Sequence, residues 1–276
     1  MPLVKMKELL KNTNCTYAVG AFNVSDMEMV MGAIQAGEEL QAPIILQIAE
    51  SRLAYSPLEL LGPLMLAAAK GSSVPVAVHL DHGTTLDTIQ LALYLGFTSV
   101  MFDGSRYPLA ENIARTKEVV ALAHQYGIEV EGEIGHIGGA EGTDKSMDVL
   151  VTGVAETKCF ARETGVDALA VAIGTVHGNY IGKPKLRIER LREIAKVVKC
   201  PLVLHGGTGL TKEDFRLCFT NGISKINIAT ASYDGAAGKL QYIHNGNFFD
   251  YSNAIVQGTY ENVKKHILLF GTQNKV

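Results

Sequence analysis

Three histidines follow apolar, strand-like runs of the sequence, and a glycine comes directly after each: His82, His177 and His205. The run before His82, at residues 75–80, is rich in β-branched residues, and similar runs precede the other two. Polar residues at the carboxyl ends of strands form the active sites of α/β proteins, so we expect the three imidazoles to meet. Three imidazoles can hold a catalytic divalent metal and leave positions for water or substrate. A single histidine there is more often a hydrogen-bonded core residue, so the metal hypothesis depends on all three.

Asp81 directly precedes His82 and has two possible roles. It could hold an imidazole in orientation, or it could act as an acid or base in the same site; we favour the second role. His79, deeper in the strand, is interpreted as structural. Three further histidines fall on predicted helices or late loops, where we predict surface positions: His124, His244 and His266. His136, in the loop after the fifth strand, is left unassigned.

Residues 131–144 combine carboxylates, among them Glu133 and Glu141, with several glycines. One interpretation is a solvated loop. The other is a lid, in which glycine hinges bring a carboxylate onto the substrate. Both interpretations remain open on the sequence alone.

Two later segments favour an anion-binding site. Residues 206–209, Gly-Gly-Thr-Gly, precede a predicted helix and offer backbone N–H groups and a hydroxyl. Residues 227–230 end the last predicted strand. Loops after the seventh and eighth strands are the usual phosphate site of a (β/α)₈ barrel, so together the two segments predict a phosphate site.

Strand-like and helix-like segments alternate along the chain, which predicts a (β/α)₈ (TIM) barrel. A doubly wound sheet is the alternative, but no Gly-x-Gly-x-x-Gly follows the first strand. No linker is evident, so residues 1–276 are expected to form one domain, with a C-terminal helix at about 253–270. The predicted strands span residues 17–24, 43–49, 75–83, 98–104, 129–135, 168–174, 201–205 and 224–230.

Composition excludes several classes of protein. The 276 residues carry a formal net charge of -3, which gives no signature of nucleic-acid binding. The four cysteines are scattered without a Cys-x-x-Cys pair, a usage that suits a reducing cytosol. No signal-peptide core and no apolar run of about 20 residues is present, so we expect a cytoplasmic protein without membrane partners.

In combination, these segments resemble the class II, metal-dependent ketose-bisphosphate aldolases, a family that includes fructose-1,6-bisphosphate and tagatose-1,6-bisphosphate aldolases. The resemblance covers nearly the whole chain. It is carried by residues 21–24, 80–83, 101–105, 133–141, 176–178, 204–209 and 225–230.

The resemblance implies a zinc ion held by the three histidines, dihydroxyacetone phosphate as the shared substrate, and a homodimer or homotetramer. It assigns Asp81 as the proton donor at C4 and Glu141 as the lid carboxylate that exchanges the α-proton. Asp103 and Glu133 match positions behind the metal ligands, or alternate metal ligands. A monovalent cation, Na⁺ or K⁺, often accompanies the phosphate. The matching substrate-binding positions are Asn23, Gly178, Gly206, Gly207, Thr208, Asn227, Ile228, Ala229 and Thr230.

The implied chemistry explains the need for a metal. Cleavage of a carbon–carbon bond leaves an enediolate, whose charge a divalent metal stabilises as a Lewis acid. A Schiff-base lysine is the other solution, but the sixth strand has no lysine and Lys225 starts the eighth, away from the mouth. Two other functions stay open: a metal-dependent isomerase or hydrolase on the same barrel, and a metal-stabilised binding protein.

The sequence departs from the family pattern where the aldehyde half of the substrate would bind. Ala49 stands where many members have serine, residues 250–252 lack the frequent Asp-Pro-Arg, and no arginine follows Arg216. A lysine replaces a bidentate arginine poorly at a phosphate. We therefore expect an aldehyde that lacks a phosphate or is held differently, with fructose-1,6-bisphosphate kept as the family default. Side chains that could contribute are Arg52, Arg106, Lys239, Lys264 and Lys265.

Overall fold

The computed structural model describes residues 2–135, 151–180, 182 and 184–276. Eight parallel strands close into a barrel in chain order, which confirms the predicted (β/α)₈ fold. Because both faces of each strand are covered, most strands are rich in apolar residues, whereas β5 alternates glutamates with other residues. They are β1 Val19–Asn23, β2 Ile44–Ala49, β3 Val76–Gly83, β4 Ser99–Phe102, β5 Glu129–Ile134, β6 Ala168–Val171, β7 Leu202–Leu204 and β8 Ile223–Ile228.

Helices connect the strands, and local signals fix several of their ends. The side chains of Asp26, Thr85 and Thr211 accept N–H bonds at helix starts, while Gly96 and Gly165 end helices in the left-handed conformation. A turn of 3₁₀ helix, Glu50–Arg52, follows β2. The α-helices are α1 Met6–Leu10, α2 Met27–Glu39, α3 Leu58–Gly71, α4 Leu86–Leu95, α5 Leu109–Gln125, α6 Val154–Thr164, α7 Ile188–Val197, α8 Lys212–Thr220, α9 Thr230–Leu240 and α10 Phe248–Phe270.

Two apolar layers hold the barrel together. The larger lies between the outer faces of the strands and the surrounding helices. The smaller fills the amino-terminal end of the barrel, where Met6 and Leu10 of α1 close the interior. The interior side chains that they cover include Val19, Ala21, Ile45, Ala77, Ala168, Ala170 and Val203. Burial of this end leaves the opposite, carboxyl end of the strands open for chemistry.

The C-terminal part of the fold differs from the prediction. α10 begins at Phe248 rather than near residue 253, because Asn247 and Asp250 form a reciprocal capping box ahead of the apolar positions. α9 was not predicted; it contains two glycines and buries few residues, so its sequence shows little amphipathic pattern. In the part of the chain that the structure describes, no helix is long and apolar enough to cross a membrane.

His266 is buried, so the predicted surface position is wrong. Its Nδ1 lies 2.8 Å from the carbonyl oxygen of Asn262, and its ring packs against the rings of Phe22, Phe215 and Phe270. The long helix α10 lays this face against β1 and α8, and sequence periodicity does not reveal that contact.

Candidate metal centre and active site

The imidazoles of His82, His177 and His205 meet at the carboxyl end of the barrel. His82 Nε2 lies 3.2 Å from His177 Nε2 and 3.0 Å from His205 Nδ1, and the third edge of the triangle is 3.4 Å. All three side chains are buried. One nitrogen of each ring therefore points to a common centre.

An irregular backbone brings Asp81 and His82 into the mouth together. Consecutive residues of a regular strand face opposite sides of the sheet. Here the register of β3 against β4 shifts between Leu80 and Gly83, and His82 adopts a left-handed φ of 46°. Such strain is uncommon for a residue with a Cβ and occurs at functional sites. It turns the imidazole of His82 toward the site while Asp81 keeps its inward direction.

Carboxylates behind two of the imidazoles fix their tautomers. His82 Nδ1 lies 2.9 Å from Asp103 Oδ2, and His205 Nε2 lies 2.9 Å from Glu131 Oε1. When the ring is neutral, each of these nitrogens donates its proton to the carboxylate, so the nitrogen facing the common centre carries a lone pair. Metal-binding histidines show this arrangement. Asp103 was expected at such a position from the resemblance, whereas Glu131 was not singled out.

Glu131 also pairs with Lys225. Lys225 Nζ lies 2.7 Å from Glu131 Oε2, and both side chains are fully buried. Lys225 is thus inside the barrel, one layer below the histidines, rather than remote from the site as the sequence suggested. Its ammonium is held in an ion pair. His79 occupies the same layer, with Nδ1 2.8 Å from Ser99 Oγ, which agrees with a structural role.

The three histidines fit a divalent metal. A tetrahedral ion with Zn–N bonds of about 2.0–2.1 Å places its ligand atoms about 3.3 Å apart, close to the three observed separations. A second possible set of metal ligands consists of His82, Asp103 and Glu133. In this set, Glu133 Oε2 lies 4.0 Å from His82 Nδ1. The buried Oε2 of Glu133 has no hydrogen-bond partner among the residues described.

Burial and mutual charge set the protonation of the site. Burial, with His82 nearby, lowers the pKa of His177 and of His205 well below the ordinary value, which keeps both rings neutral, as ligands must be. Burial also opposes charge on His82, but Asp81 and Asp103 outweigh it and raise its pKa to about 10. Burial and the charge of Asp103 raise the pKa of Glu133 well above its ordinary value. The surrounding carboxylates therefore favour positive charge at this centre.

Amide groups from three strands hold the carboxylate of Asp81. Asn23 and Gln47 donate to Oδ2 at 3.1 and 3.2 Å, and Asn227 donates to Oδ1 at 3.1 Å. Asn227 Nδ2 also lies 3.2 Å from His205 Nε2, so the amide that holds the carboxylate is in contact with the histidine cluster. Gln47 was missed in the sequence. Gln47 pairs in register with Asn23, so the two side chains lie in the same layer of the barrel interior. The alternation of inward and outward side chains along β2 could have indicated this position.

The segments predicted to bind phosphate lie side by side. Gly207 N donates to Asn227 O at 3.3 Å, and Ala231 N donates to Thr208 Oγ1 at 3.1 Å. Gly206 has a φ of 69°, and a Cβ there would overlap the carbonyl oxygen of Val176. The loop that carries His177 and Gly178 thus approaches the other two segments at this glycine. Ile228 and Ala229 are buried between them, and Thr230 starts α9.

Tyr180 joins these loops and was not singled out in the sequence. Its hydroxyl donates to Gly206 O at 2.7 Å and accepts from Val176 N at 3.4 Å. Glu141 and His136, by contrast, lie outside the described residues. The choice between a lid and a solvated loop at residues 136–144 therefore stays a prediction.

A closed parallel barrel with three converging histidines and an acid beside them defines a metal-dependent barrel enzyme. Comparison with known proteins narrows this class. The family model for class-II fructose-bisphosphate aldolase matches residues 4–275, so the chain belongs to that family of lyases. The family implies a divalent metal.

Individual relatives agree with the family assignment. Fructose-bisphosphate aldolase of Staphylococcus aureus strain Mu50 is 37% identical over 286 residues, covering 100% of this chain and 99% of that protein. A probable fructose-bisphosphate aldolase of Bacillus subtilis is 40% identical over 241 residues, covering 86% of this chain and 85% of its own.

Solved structures resemble the barrel over its full length. The YdjI aldolase of Escherichia coli K12 has a TM-score of 0.88 at 31% identity, with 99% of both chains covered. A putative fructose-1,6-bisphosphate aldolase of Coccidioides immitis has a TM-score of 0.92 at 28% identity, covering 98% of this chain and 97% of that one.

Proposed function

We propose that the protein reversibly cleaves a ketose phosphate to dihydroxyacetone phosphate and an aldehyde. The observation that carries the proposal is the position of Asp81, a buried carboxylate that directly precedes His82 and lies close enough for its charge to raise the pKa of that histidine. An aldolase of this class needs an acid–base group beside the metal, because a proton leaves the C4 hydroxyl as the carbon–carbon bond breaks.

Each side chain has a defined task in this proposal. His82, His177 and His205 hold the metal, which we infer to be zinc because the donors are three imidazole nitrogens. When bound, the metal stabilises the negative charge of the enediolate as a Lewis acid. In the cleavage direction Asp81 accepts the proton of the C4 hydroxyl, and in synthesis it returns that proton to the aldehyde oxygen. The three amides around Asp81 orient the carboxylate for both directions.

The remaining assignments follow the family resemblance. Glu141 removes and returns the α-proton of dihydroxyacetone phosphate. Gly178, residues 206–208 and residues 227–230 hold its phosphate, accompanied by a monovalent cation, Na⁺ or K⁺. Asp103 supports His82, and Asp103 and Glu133 offer an alternate metal position. The resemblance also supports a homodimer or homotetramer, which sedimentation would measure.

The aldehyde half of the substrate has two candidates. The relatives named above are called fructose-bisphosphate aldolases, and fructose-1,6-bisphosphate or tagatose-1,6-bisphosphate are the corresponding candidates. The missing arginine after Arg216 favours a second candidate, a ketose 1-phosphate whose aldehyde half lacks a phosphate or is held by another group. Two of the lysines that could replace the arginine are engaged elsewhere: Lys239 pairs with Glu261 and Lys264 with Glu39.

Metal analysis and one enzymatic assay test the proposal. Wild-type protein should contain one divalent metal and release triose phosphate from a ketose phosphate in a chelator-sensitive reaction. Replacing His82, His177 or His205 with Ala should lower metal content and abolish release, whereas the exposed His244→Ala serves as the matched control. Metal binding without any triose phosphate release would favour an isomerase, a hydrolase or a binding protein instead. Full metal occupancy with normal activity in a variant would remove that histidine from the ligand set.

A further inference from the structure

Arg52 places a guanidinium at the mouth of the barrel. It ends the 3₁₀ turn that follows β2, so it lies at the carboxyl end of the strands. Its Nε is buried and has no hydrogen-bond partner among residues 2–135, 151–180, 182 and 184–276. A guanidinium presents five N–H donors and stays charged, so a buried N–H without an acceptor is costly. The arrangement suits a ligand that supplies the acceptor.

The acid closest to Arg52 in sequence does not neutralise it. The carboxylate of Glu50 turns toward the β3–α4 connection and accepts hydrogen bonds from Thr84, Thr85 and Thr88. Within the described part of the chain, Arg52 has no ion pair. Five other arginines behave differently, since a glutamate pairs with each of Arg115, Arg162, Arg190, Arg192 and Arg216.

Tyr233 of α9 supports the guanidinium from one side. Arg52 Cζ lies 5.6 Å from the centroid of the Tyr233 ring, and the Ser25 hydroxyl donates to the Tyr233 hydroxyl at 3.3 Å. These three residues line a cavity of about 530 Å³. Gly178 and Thr230, both assigned to the triose phosphate, line the same cavity. Arg52 therefore shares a continuous space with the proposed substrate site.

The direction of the substrate follows from the strands that surround Asp81. The triose phosphate is assigned to loops after β6, β7 and β8, and the metal to histidines from β3, β6 and β7. Asp81 acts at C4, the first carbon of the aldehyde half, and its amide partners Asn23 and Gln47 come from β1 and β2. The aldehyde half thus extends over β1 and β2. Ser25 and Arg52 follow these two strands.

We infer that Arg52 binds an anionic group, a phosphate or a carboxylate, at the far end of the aldehyde half. This inference rests on the proposed function, and it selects an anionic aldehyde that is held differently from the family pattern. A planar guanidinium pairs with either anion through two parallel hydrogen bonds, which accounts for the lack of an arginine near the C-terminus.

Synthesis assays with dihydroxyacetone phosphate and two matched pairs of aldehydes test the inference. The first pair is glyceraldehyde 3-phosphate and glyceraldehyde. The second is a five-carbon aldehyde ending in a carboxylate and the same aldehyde ending in a hydroxymethyl group. The measured quantity is the ratio of kcat/KM for the charged aldehyde to kcat/KM for the neutral one. Metal-loaded wild-type enzyme should give a ratio above about ten in at least one pair, which identifies the anion.

Substitution of Arg52 should remove this selectivity. Arg52→Ala is expected to lower the ratio by between about ten-fold and a hundred-fold, as for a lost charge-assisted pair, and Arg52→Lys should give an intermediate ratio. Arg106→Ala is the matched control. Arg106 follows β4, where its guanidinium packs on Tyr107 and donates to the Tyr107 hydroxyl at 2.7 Å. That variant should keep the wild-type ratio.

Several outcomes would overturn the assignment of Arg52. One is a wild-type ratio near one in both pairs, and another is an unchanged ratio in folded Arg52→Ala protein. A third is an equal fall in α-proton exchange into dihydroxyacetone phosphate, which would show that Arg52 holds the triose phosphate. Failure of the proposed function would give a different result from failure of the Arg52 assignment. The wild-type enzyme would then show neither α-proton exchange into dihydroxyacetone phosphate nor carbon–carbon bond formation with any aldehyde.

Discussion

The Oε1 of Glu131 lies 2.9 Å from the Nε2 of His205, and neither side chain is exposed to solvent. The other oxygen of this carboxylate pairs with the buried ammonium of Lys225. Glu131 thus has two functions that can be separated. It orients a proposed metal ligand, and it neutralises a charge in the barrel interior.

Glu131→Gln should weaken both functions. Loss of the carboxylate leaves Lys225 as an uncompensated buried charge, which should lower the free energy of unfolding by about 3–5 kcal/mol. A less basic His205 should reduce metal affinity by about ten-fold. Denaturant unfolding of metal-free protein and competitive metal titration measure the two effects.

The double variant Glu131→Gln with Lys225→Met separates them. Removal of the ammonium should restore most of the unfolding free energy, because the two partners of the ion pair are then both uncharged. Metal affinity should stay low, since His205 still lacks its carboxylate. Recovery of metal affinity in this variant would show that Glu131 acts only through stability.

Asp81 and Glu141 should have separable roles in catalysis. Asp81→Ala should block cleavage but retain some exchange of the α-proton of dihydroxyacetone phosphate, because the base for that step is a different residue. Glu141→Ala should lose the exchange itself. Hydrogen–deuterium exchange followed by NMR, beside an assay of triose phosphate release, distinguishes the variants. A parallel loss of both activities in both variants would contradict this division.

His266 should make stability depend on pH. Burial lowers its pKa to about 4 in the folded protein, from 6.5, although its hydrogen bond to Asn262 opposes the shift. As the pH falls below 6.5, the unfolded chain takes up a proton that the folded chain refuses until about pH 4. The free energy of unfolding should therefore decrease with falling pH across this window, by up to about 3 kcal/mol.

His266→Phe tests this effect against the other titrating groups. Between about pH 7 and about pH 5, the wild-type protein should lose about 2 kcal/mol more unfolding free energy than the variant. Both proteins are measured metal-free by denaturant unfolding, so that metal release does not contribute. Equal pH dependence in the two proteins would exclude His266 as the source.

Gly258 should be required where α10 crosses α9. A Cβ on Gly258 would overlap the carbonyl oxygen of Gly235, whereas a Cβ on Gly238 would meet no atom within 4 Å. Gly258→Ala should therefore destabilise the protein by about 1–3 kcal/mol, because the helices must move apart. Gly238→Ala, the control in α9, should be neutral or stabilising by up to about 1 kcal/mol. Thermal unfolding compares them; similar losses would argue against close helix packing.

Much of the architecture could be predicted because it follows from local sequence. The apolar runs that become β3 and β6 are short, bounded by turn residues and ended by polar groups, so their positions and open ends are visible before folding. The ends of α4 at Thr85 and Gly96 likewise follow from local capping chemistry. Convergence of His82 with His177 was predictable, since parallel barrel strands expose their carboxyl ends on one face.

Other features depend on tertiary structure, because they are set by register, strand closure and helix packing. Gln47 reaches Asp81 through the pairing of β2 with β3, and Glu131 meets Lys225 across the barrel interior. His266 is buried only because α10 packs on β1 and α8. Among the described arginines, Arg52 is distinguished by a buried Nε that has no hydrogen-bond partner there. The sequence by itself determined the barrel and the residue types at its mouth. The closed sheet decided which of them touch, because partners far apart in the chain meet only after the eighth strand pairs with the first.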